Sequence, residues 1–243
     1  MKRLSRNIGI GALLLLFVLV VVVWSLAFRV PSMDRLTLPA ELIPAESDEG
    51  QQLLAQKEFT ADYDPLRRNF ESQTRPAYCG VASSVVVLNA LQSPEPRITQ
   101  STFFTEAASN VQSALETTFG GMTLAQLGDL LRAHDVEVTT YYAADTGVDS
   151  FRTIAEQNLK SAGDFLLVNY QRGVLGQKAT GHISPIAAYN AATDRMLILD
   201  VAAYRYPPVW VSTAALWDAM NTKDDTSGRT RGFAVVRGSA PAP

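Results

Sequence analysis

The chain has one cysteine and two histidines in 243 residues. A lone cysteine cannot close a disulfide within the chain, which excludes the disulfide-stapled scaffolds of small exported domains. One Cys and two His are also too few to build a thiolate or imidazole metal cluster. Positive charge is not in excess: 21 Lys and Arg stand against 24 Asp and Glu, a net charge of −3. No basic stripe appears, which argues against nucleic acid as the main partner. Internal repeats and low-complexity tracts are absent too, so solenoid and compositionally biased classes drop out.

The first thing present is apolar. Lys2, Arg3 and Arg6 precede an uncharged stretch from Ile8 to Phe28, closed by Arg29 and Pro31. About 20 apolar residues suffice to cross a bilayer as a helix. The basic excess before the stretch sets the N-terminus in the cytoplasm. Residues 1–30 are therefore expected to be a transmembrane anchor, with the lipid bilayer as the partner of residues 8–28 and the remainder on the periplasmic side. The competing reading is a signal peptide cleaved near Ser25-Leu26-Ala27, which secretes the domain. Residues 31–60 read as a stalk holding Pro31, Pro39, Pro44 and the acidic Glu46-Ser47-Asp48-Glu49, with a short helix from Gly50 to Lys57. Residues 61–243 are expected to form one catalytic domain, a size that buries a substantial core.

Within that domain Gly80 to Leu91 reads as a helix, apolar nearly all round and so central and buried. Thr123 to His134 is an amphipathic helix with Thr123 as its N-cap candidate. Val148 to Ser161 is another, Thr213 to Met220 a shorter one, and Ser101 to Ala108 a weaker one. Strands are expected at Val136–Tyr142, Phe165–Tyr170, Ile183–Tyr189, Met196–Val201, Val209–Val211 and Phe233–Val236. Helices come first and antiparallel strands later, which gives an α+β class.

The only cysteine, Cys79, opens the central helix. A helix N-terminus has unpaired N–H groups and partial positive charge, which favour a thiolate. In a compartment outside the cytoplasm a free thiol is either buried as a small hydrophobe or used as a nucleophile. A base is at hand in His182, which follows Gly181 and opens an apolar strand. Asn190 to Asp194 reads as a hairpin connection. With the turn centred near residue 192, His182 falls opposite Ala202 and Asp200 is its diagonal neighbour on the same face. Such neighbours lie roughly 7 Å apart, within reach of imidazole and carboxylate. A one-residue slip would separate them, and alone Asp200 also reads as a strand-end residue. Gly181 serves either close backbone approach or the shape of the strand start. The Cys79 N–H is one donor for a developing oxyanion, and the side-chain amide of Gln73 is a candidate second. His134, at a helix C-terminus, is expected to be structural.

The order Cys, His, Asp is that of papain-like cysteine enzymes. The segments Gln73-Thr74-Arg75-Pro76-Ala77-Tyr78-Cys79-Gly80 and on to Ala90, Asn169 to Ile186, Leu199-Asp200-Val201-Ala202, Tyr206 to Val211 and Arg231-Gly232-Phe233 resemble the phytochelatin synthase family, in order, over residues 60–237. The resemblance implies a papain-like fold, with the Cys helix packed on an antiparallel sheet. It implies glutathione as substrate, Cys79 attacking at the bond between its cysteine and glycine, and His182 protonating the departing glycine. Asp200 would orient His182, and Gln73 with the Cys79 N–H would hold the oxyanion. Hydrolysis of the acyl-enzyme gives γ-glutamylcysteine, and transfer to a second glutathione gives a phytochelatin. The resemblance further implies that Tyr78 lines the acyl site and that Asp224 and Arg231 bind the amino and carboxylate groups of the glutamyl moiety. No cofactor belongs to the protein in this reading, and a divalent metal enters as a metal-thiolate substrate. Where the family usually has an arginine three residues after the aspartate, this chain has Ala203, with Arg205 two positions on. It reads as a short form, without the cysteine-rich C-terminal extension of plant members. Two other functions remain open: a papain-like peptidase for another exported peptide, and an anchored domain that binds thiols or metal thiolates without turnover.

Overall fold

A computed structural model describes residues 2–93 and 95–239, with side chains from Leu13 onward. Pro94 and the side chains of Lys2, Arg3 and Arg6 lie outside the described residues. In chain order the elements are α1 Lys2–Phe28, β1 Ile43–Pro44, α2 Asp48–Leu54, α3 Tyr63–Arg68, α4 Cys79–Gln92, α5 Glu106–Val111, α6 Ala114–Gly120 and α7 Leu124–Arg132. Then come β2 Val136–Tyr142, α8 Val148–Lys160, β3 Asp164–Gln171, β4 Gly181–Asn190, β5 Arg195–Ile198, β6 Val209–Ser212, α9 Thr213–Met220 and β7 Gly232–Gly238.

The strands form one sheet in the order β1-β6-β5-β4-β3-β7-β2, with every pairing antiparallel. Apolar side chains fill both faces. One face packs Val81, Val85 and Leu88 of α4 and Leu127 of α7 against Leu167, Ile183 and Leu197. The other packs Phe151 of α8 and Leu216 of α9 against Leu166, Ile186 and Phe233. The α+β class with an antiparallel sheet holds.

Helix α4 is the pillar of the site. Its Val85-Val86-Val87 run is poor helix former by propensity, since β-branched side chains lose rotamer freedom there. Burial overrides this: Gly80 through Asn89 are all buried, and each large apolar side chain contributes about 1.5–3 kcal/mol. The helix ends at Ser93, whose backbone is left-handed at φ 47°. Asn89 seals that end by bonding both the carbonyl and the N–H of Ile98. Thr123 caps α7 in a full capping box with Gln126.

Two expectations about the N-terminal part are corrected. Among the described residues no helix is long and apolar enough to cross a membrane, so the transmembrane reading of residues 8–28 is set aside. At its C-terminal end α1 meets α6. Its last turns are instead committed to the domain. The Phe28 ring lies 6.1 Å from that of Phe119 on α6, and the Arg75 guanidinium stands 4.5 Å from the Phe28 ring. Residues 31–60 are no stalk either. Leu42, Ile43, Leu53, Leu54 and Phe59 are buried, β1 pairs with β6, and Tyr189 N–H donates to the Phe59 carbonyl. Pro39 and Pro44 open short turns, their carbonyls accepting the Leu42 and Ser47 N–H groups. Helices α3 and α6 are additions, and the helix expected over 101–108 forms later, as α5.

Candidate active site

Cys79 is the first residue of α4, and Tyr78 before it makes no side-chain capping bond. The first-turn N–H groups are thus left to whatever sits at the thiol. A Cβ at Gly80 would run into the Met122 side chain, which would have to shift. Ser83, one turn along the same helix face, donates to the Ile183 carbonyl at 3.0 Å in a buried bond. That bond ties the thiol's helix to the residue after His182.

The hairpin β4–β5 brings up the other two residues. Its turn leaves Asn190 opposite Arg195 and Tyr189 opposite Met196. Continued unbroken, that register would put His182 opposite position 203 and turn Asp200 to the other face. A bulge between Ile186 and Ala188 shifts it, so that Ile186 faces Ile198 and Leu199 N–H donates to the Pro185 carbonyl. His182 and Asp200 then share a face, with Nε2 3.0 Å from Oδ1. Cys79 and His182 also act on each other electrostatically; with Nε2 on Asp200, Nδ1 is the ring nitrogen left for the thiol.

Asp200 is fully buried. Its Oδ1 accepts from His182, from Arg172 Nη2 at 2.6 Å and from the Ala202 N–H at 2.8 Å. Burial alone would raise its carboxyl, but the charges and hydrogen bonds of Arg172 and His182 hold it well below the usual carboxylate range. Burial, then the Arg172 charge, pushes His182 down; Asp200 and the neighbouring Cys79 push it up, and the net direction is up. Burial pushes the Cys79 thiol up, but His182, the Ile183 backbone and Arg172 bring it below the ordinary thiol range. All three directions favour a thiolate beside an imidazolium backed by a carboxylate.

The half-buried thiol opens on a cavity of about 590 Å³, within the usual range for small-molecule sites. Asp224 and Arg231 line the same cavity. A short hairpin joins them: Lys223 bridges Thr230, and Arg231 N–H donates to the Thr222 carbonyl. Arg231 Nη1 stands 3.8 Å from Asp224 Oδ1. Its Nε and Nη1 are buried without a hydrogen-bond partner, so a cation with unused donors borders the cavity. Gly181 makes room for it, since a Cβ there would lie 2.9 Å from Arg231 Nη2. Arg205 also lines the cavity, as do Val23, Leu26 and Ala27 from α1.

Two expected residues are placed differently. Gln73 borders the cavity, but its amide donates to the carbonyls of Arg75 and Pro76 at 2.9 and 2.8 Å. Neither amide proton is left for an oxyanion. Tyr78 is not on the cavity wall: its buried hydroxyl takes Arg75 Nη1 at 2.7 Å and faces α6 through Ala114 and Thr118. His134 stacks on Phe103 with ring centroids 4.8 Å apart, far from this chemistry in role. Arg172 and Ser83 escape a reading of the sequence. Ser83 carried one signal, a hydroxyl four residues after Cys79 inside an apolar run.

The family model described as Phytochelatin synthase matches residues 33–233. The chain is 34% identical to glutathione gamma-glutamylcysteinyltransferase 1 of Arabidopsis thaliana, over 84% of this chain and 44% of that protein. It is 36% identical to glutathione gamma-glutamylcysteinyltransferase 1 of Triticum aestivum, over 88% of this chain and 45% of that one. With the glutathione gamma-glutamylcysteinyltransferase of Schizosaccharomyces pombe it shares 25% over 82% of this chain and 50% of the relative. The chain thus spans about half the length of the curated relatives it matches.

Proposed function

The chain belongs to the phytochelatin synthase family, and from that premise we propose that it is a thiol acyl-transfer enzyme acting on glutathione. The observation that carries the proposal is the Cys79–His182–Asp200 array at a cavity also lined by Asp224 and by Arg231, a buried guanidinium with unused donors.

In this reading the Cys79 thiolate attacks the carbonyl carbon of the bond between cysteine and glycine. The C–N bond breaks, and His182 gives its proton to the glycine amine. A γ-glutamylcysteinyl thioester remains on Cys79. Water, or the amine of a second glutathione, then attacks the thioester while neutral His182 accepts the proton. Asp200 holds the imidazole through Nε2 and stabilises its charged form. The Cys79 N–H at the start of α4 is the oxyanion donor that the geometry favours. Gln73 would serve only by turning its amide away from the Arg75 and Pro76 carbonyls. The glutamyl end carries one amino and one carboxylate group, which suits a neighbouring Asp224 and Arg231. A divalent metal would enter as the thiolate complex of a substrate, since Cys79 is the only cysteine in the chain.

The test is product analysis. The chain is incubated with glutathione, with and without cadmium, and the products are resolved by mass spectrometry. Free glycine with γ-glutamylcysteine or a phytochelatin is expected, and Cys79→Ala abolishes them. Absence of all three products from the folded wild-type chain would remove glutathione as substrate.

A further inference from the structure

Arg172 opens the turn that follows β3 and is only 2% exposed. Its own backbone closes a loop around its side chain. Arg172 N–H donates to the Thr180 carbonyl at 3.0 Å, and Gln177 N–H to the Arg172 carbonyl at 3.2 Å. Inside that loop Nη1 donates to Gln177 Oε1 at 2.7 Å and Nη2 to Asp200 Oδ1 at 2.6 Å. The ring of Tyr206 stands 5.2 Å away, and its hydroxyl accepts the Lys178 N–H at 3.0 Å. The loop that encloses the guanidinium runs straight into Gly181 and His182.

The carboxylate it grips is used asymmetrically. Oδ1 takes all three donors, and Oδ2 is buried with none. The imidazole and the guanidinium therefore share one oxygen. A planar fork anchored at both prongs can hold that oxygen in place, whereas a single ammonium cannot. We propose that Arg172 is a positioning residue that pins the Asp200 carboxylate against His182, and so keeps the imidazole charged beside the Cys79 thiolate.

The groups facing the pair are Cys79 from α4, Tyr170 from β3, Tyr204 from the segment after Asp200, and Arg172 itself. Arg172→Lys keeps the positive charge and loses the fork. With Asp200 no longer held, His182 loses support for its charged form and Cys79 loses its counter-ion. Reactive thiolate is then reached only at higher pH.

The inference rests on Cys79 being the nucleophile, not on glutathione being the substrate. Its decisive readout is accordingly substrate-free: the rate at which iodoacetamide alkylates Cys79, followed from pH 4 to 9 in the full chain. Arg172→Lys should move the profile up by about one pH unit, the effect of losing a close charge partner. Added to Asp200→Asn, it should cause no further shift, because it acts through that carboxylate. With glutathione, kcat should fall about 10- to 100-fold while KM stays within about threefold. An unmoved alkylation profile would overturn the inference, as would an equal shift in the Asp200→Asn background. A raised KM with unchanged kcat would make Arg172 a substrate-binding group instead. Should Arg172→Lys fail to fold, Gln177→Leu removes the other anchor of the fork. It should shift the profile in the same direction, and no shift would equally overturn the inference. If glutathione is not cleaved at all, the alkylation arms still decide.

Discussion

Replacing Asp200 by Asn keeps the shape of the side chain and removes its charge. The structure sets the size of the effect. Asp200 is fully buried, and it is the ion-pair partner of Arg172 at 2.6 Å and of His182 at 3.0 Å. Breaking a buried pair by removing one partner costs about 3–5 kcal/mol, because the other charge is stranded. The amide oxygen can still accept one or two of the three donors, so the lower end, about 3 kcal/mol, is expected. For a chain of this size that is a fall in Tm of about 6–12 °C. The pH dependence has a definite sign. The Asp200 carboxyl is depressed in the folded state. Its contribution is therefore complete above the unfolded carboxyl pKa of about 4 and is lost as pH falls through the lower folded value. Thermal unfolding followed by circular dichroism should show a large gap between wild type and Asp200→Asn at pH 7, narrowing below pH 4. Equal melting at pH 7, or a gap that widens toward acid, would refute this account of the buried pair.

Ser83→Ala removes the bond to the Ile183 carbonyl; about 1 kcal/mol of stability should go with it. Steady-state kinetics should show kcat falling more than KM rises, as the thiol's helix loses its tie to the His182 strand. Asp62 is fully buried, with both oxygens unpartnered, and burial with the nearby Asp164 pushes its carboxyl to about 9. The folded chain thus holds a proton that the unfolded chain releases near pH 4, so stability falls as pH rises between those values, by up to about 1.4 kcal/mol per unit. Asp62→Asn should melt higher than wild type at pH 8 and lose the advantage near pH 4; equal melting curves at both would contradict it. Gly181→Ala places a Cβ against Arg231 Nη2, 2.9 Å away. It should raise KM for glutathione about tenfold with Cys79 alkylation unchanged, the loss of roughly one charge-assisted hydrogen bond.

The course of the chain from α7 through α9 is legible in the sequence because each element carries its own local signal. Val136–Tyr142 alternates, Thr123 and Gln126 form a capping box, and Phe151 and Leu159 recur at helical spacing. The proximity of His182 and Asp200 is legible from parity alone. Its physical cause is not, because the turn register is off by one and only the bulge at Ala187 restores it. Sequence spacing cannot reveal a bulge whose effect is to cancel a turn. Gln73 and Tyr78 show the opposite limit. Their chemistry fits an acyl site, yet the conformation of residues 75–78 sends one amide to nearby carbonyls and the other side chain to α6. Residues 31–60 mislead because proline-rich, acidic composition describes turns on a sheet as well as a linker. Arg172 is invisible for a related reason. An arginine in a Gln-Arg-Gly turn looks solvated until the loop closes over it.

The central claim is that Cys79 carries the γ-glutamylcysteinyl group during turnover. Mixing the chain with glutathione, quenching in acid within the first turnovers and weighing the intact protein tests it directly. The account predicts a population heavier by one γ-glutamylcysteinyl group, located on Cys79 by peptide mapping, labile to hydroxylamine as a thioester should be, and absent from Cys79→Ala. Release of glycine with no acyl adduct on Cys79, or with undiminished rate in Cys79→Ala, would contradict it.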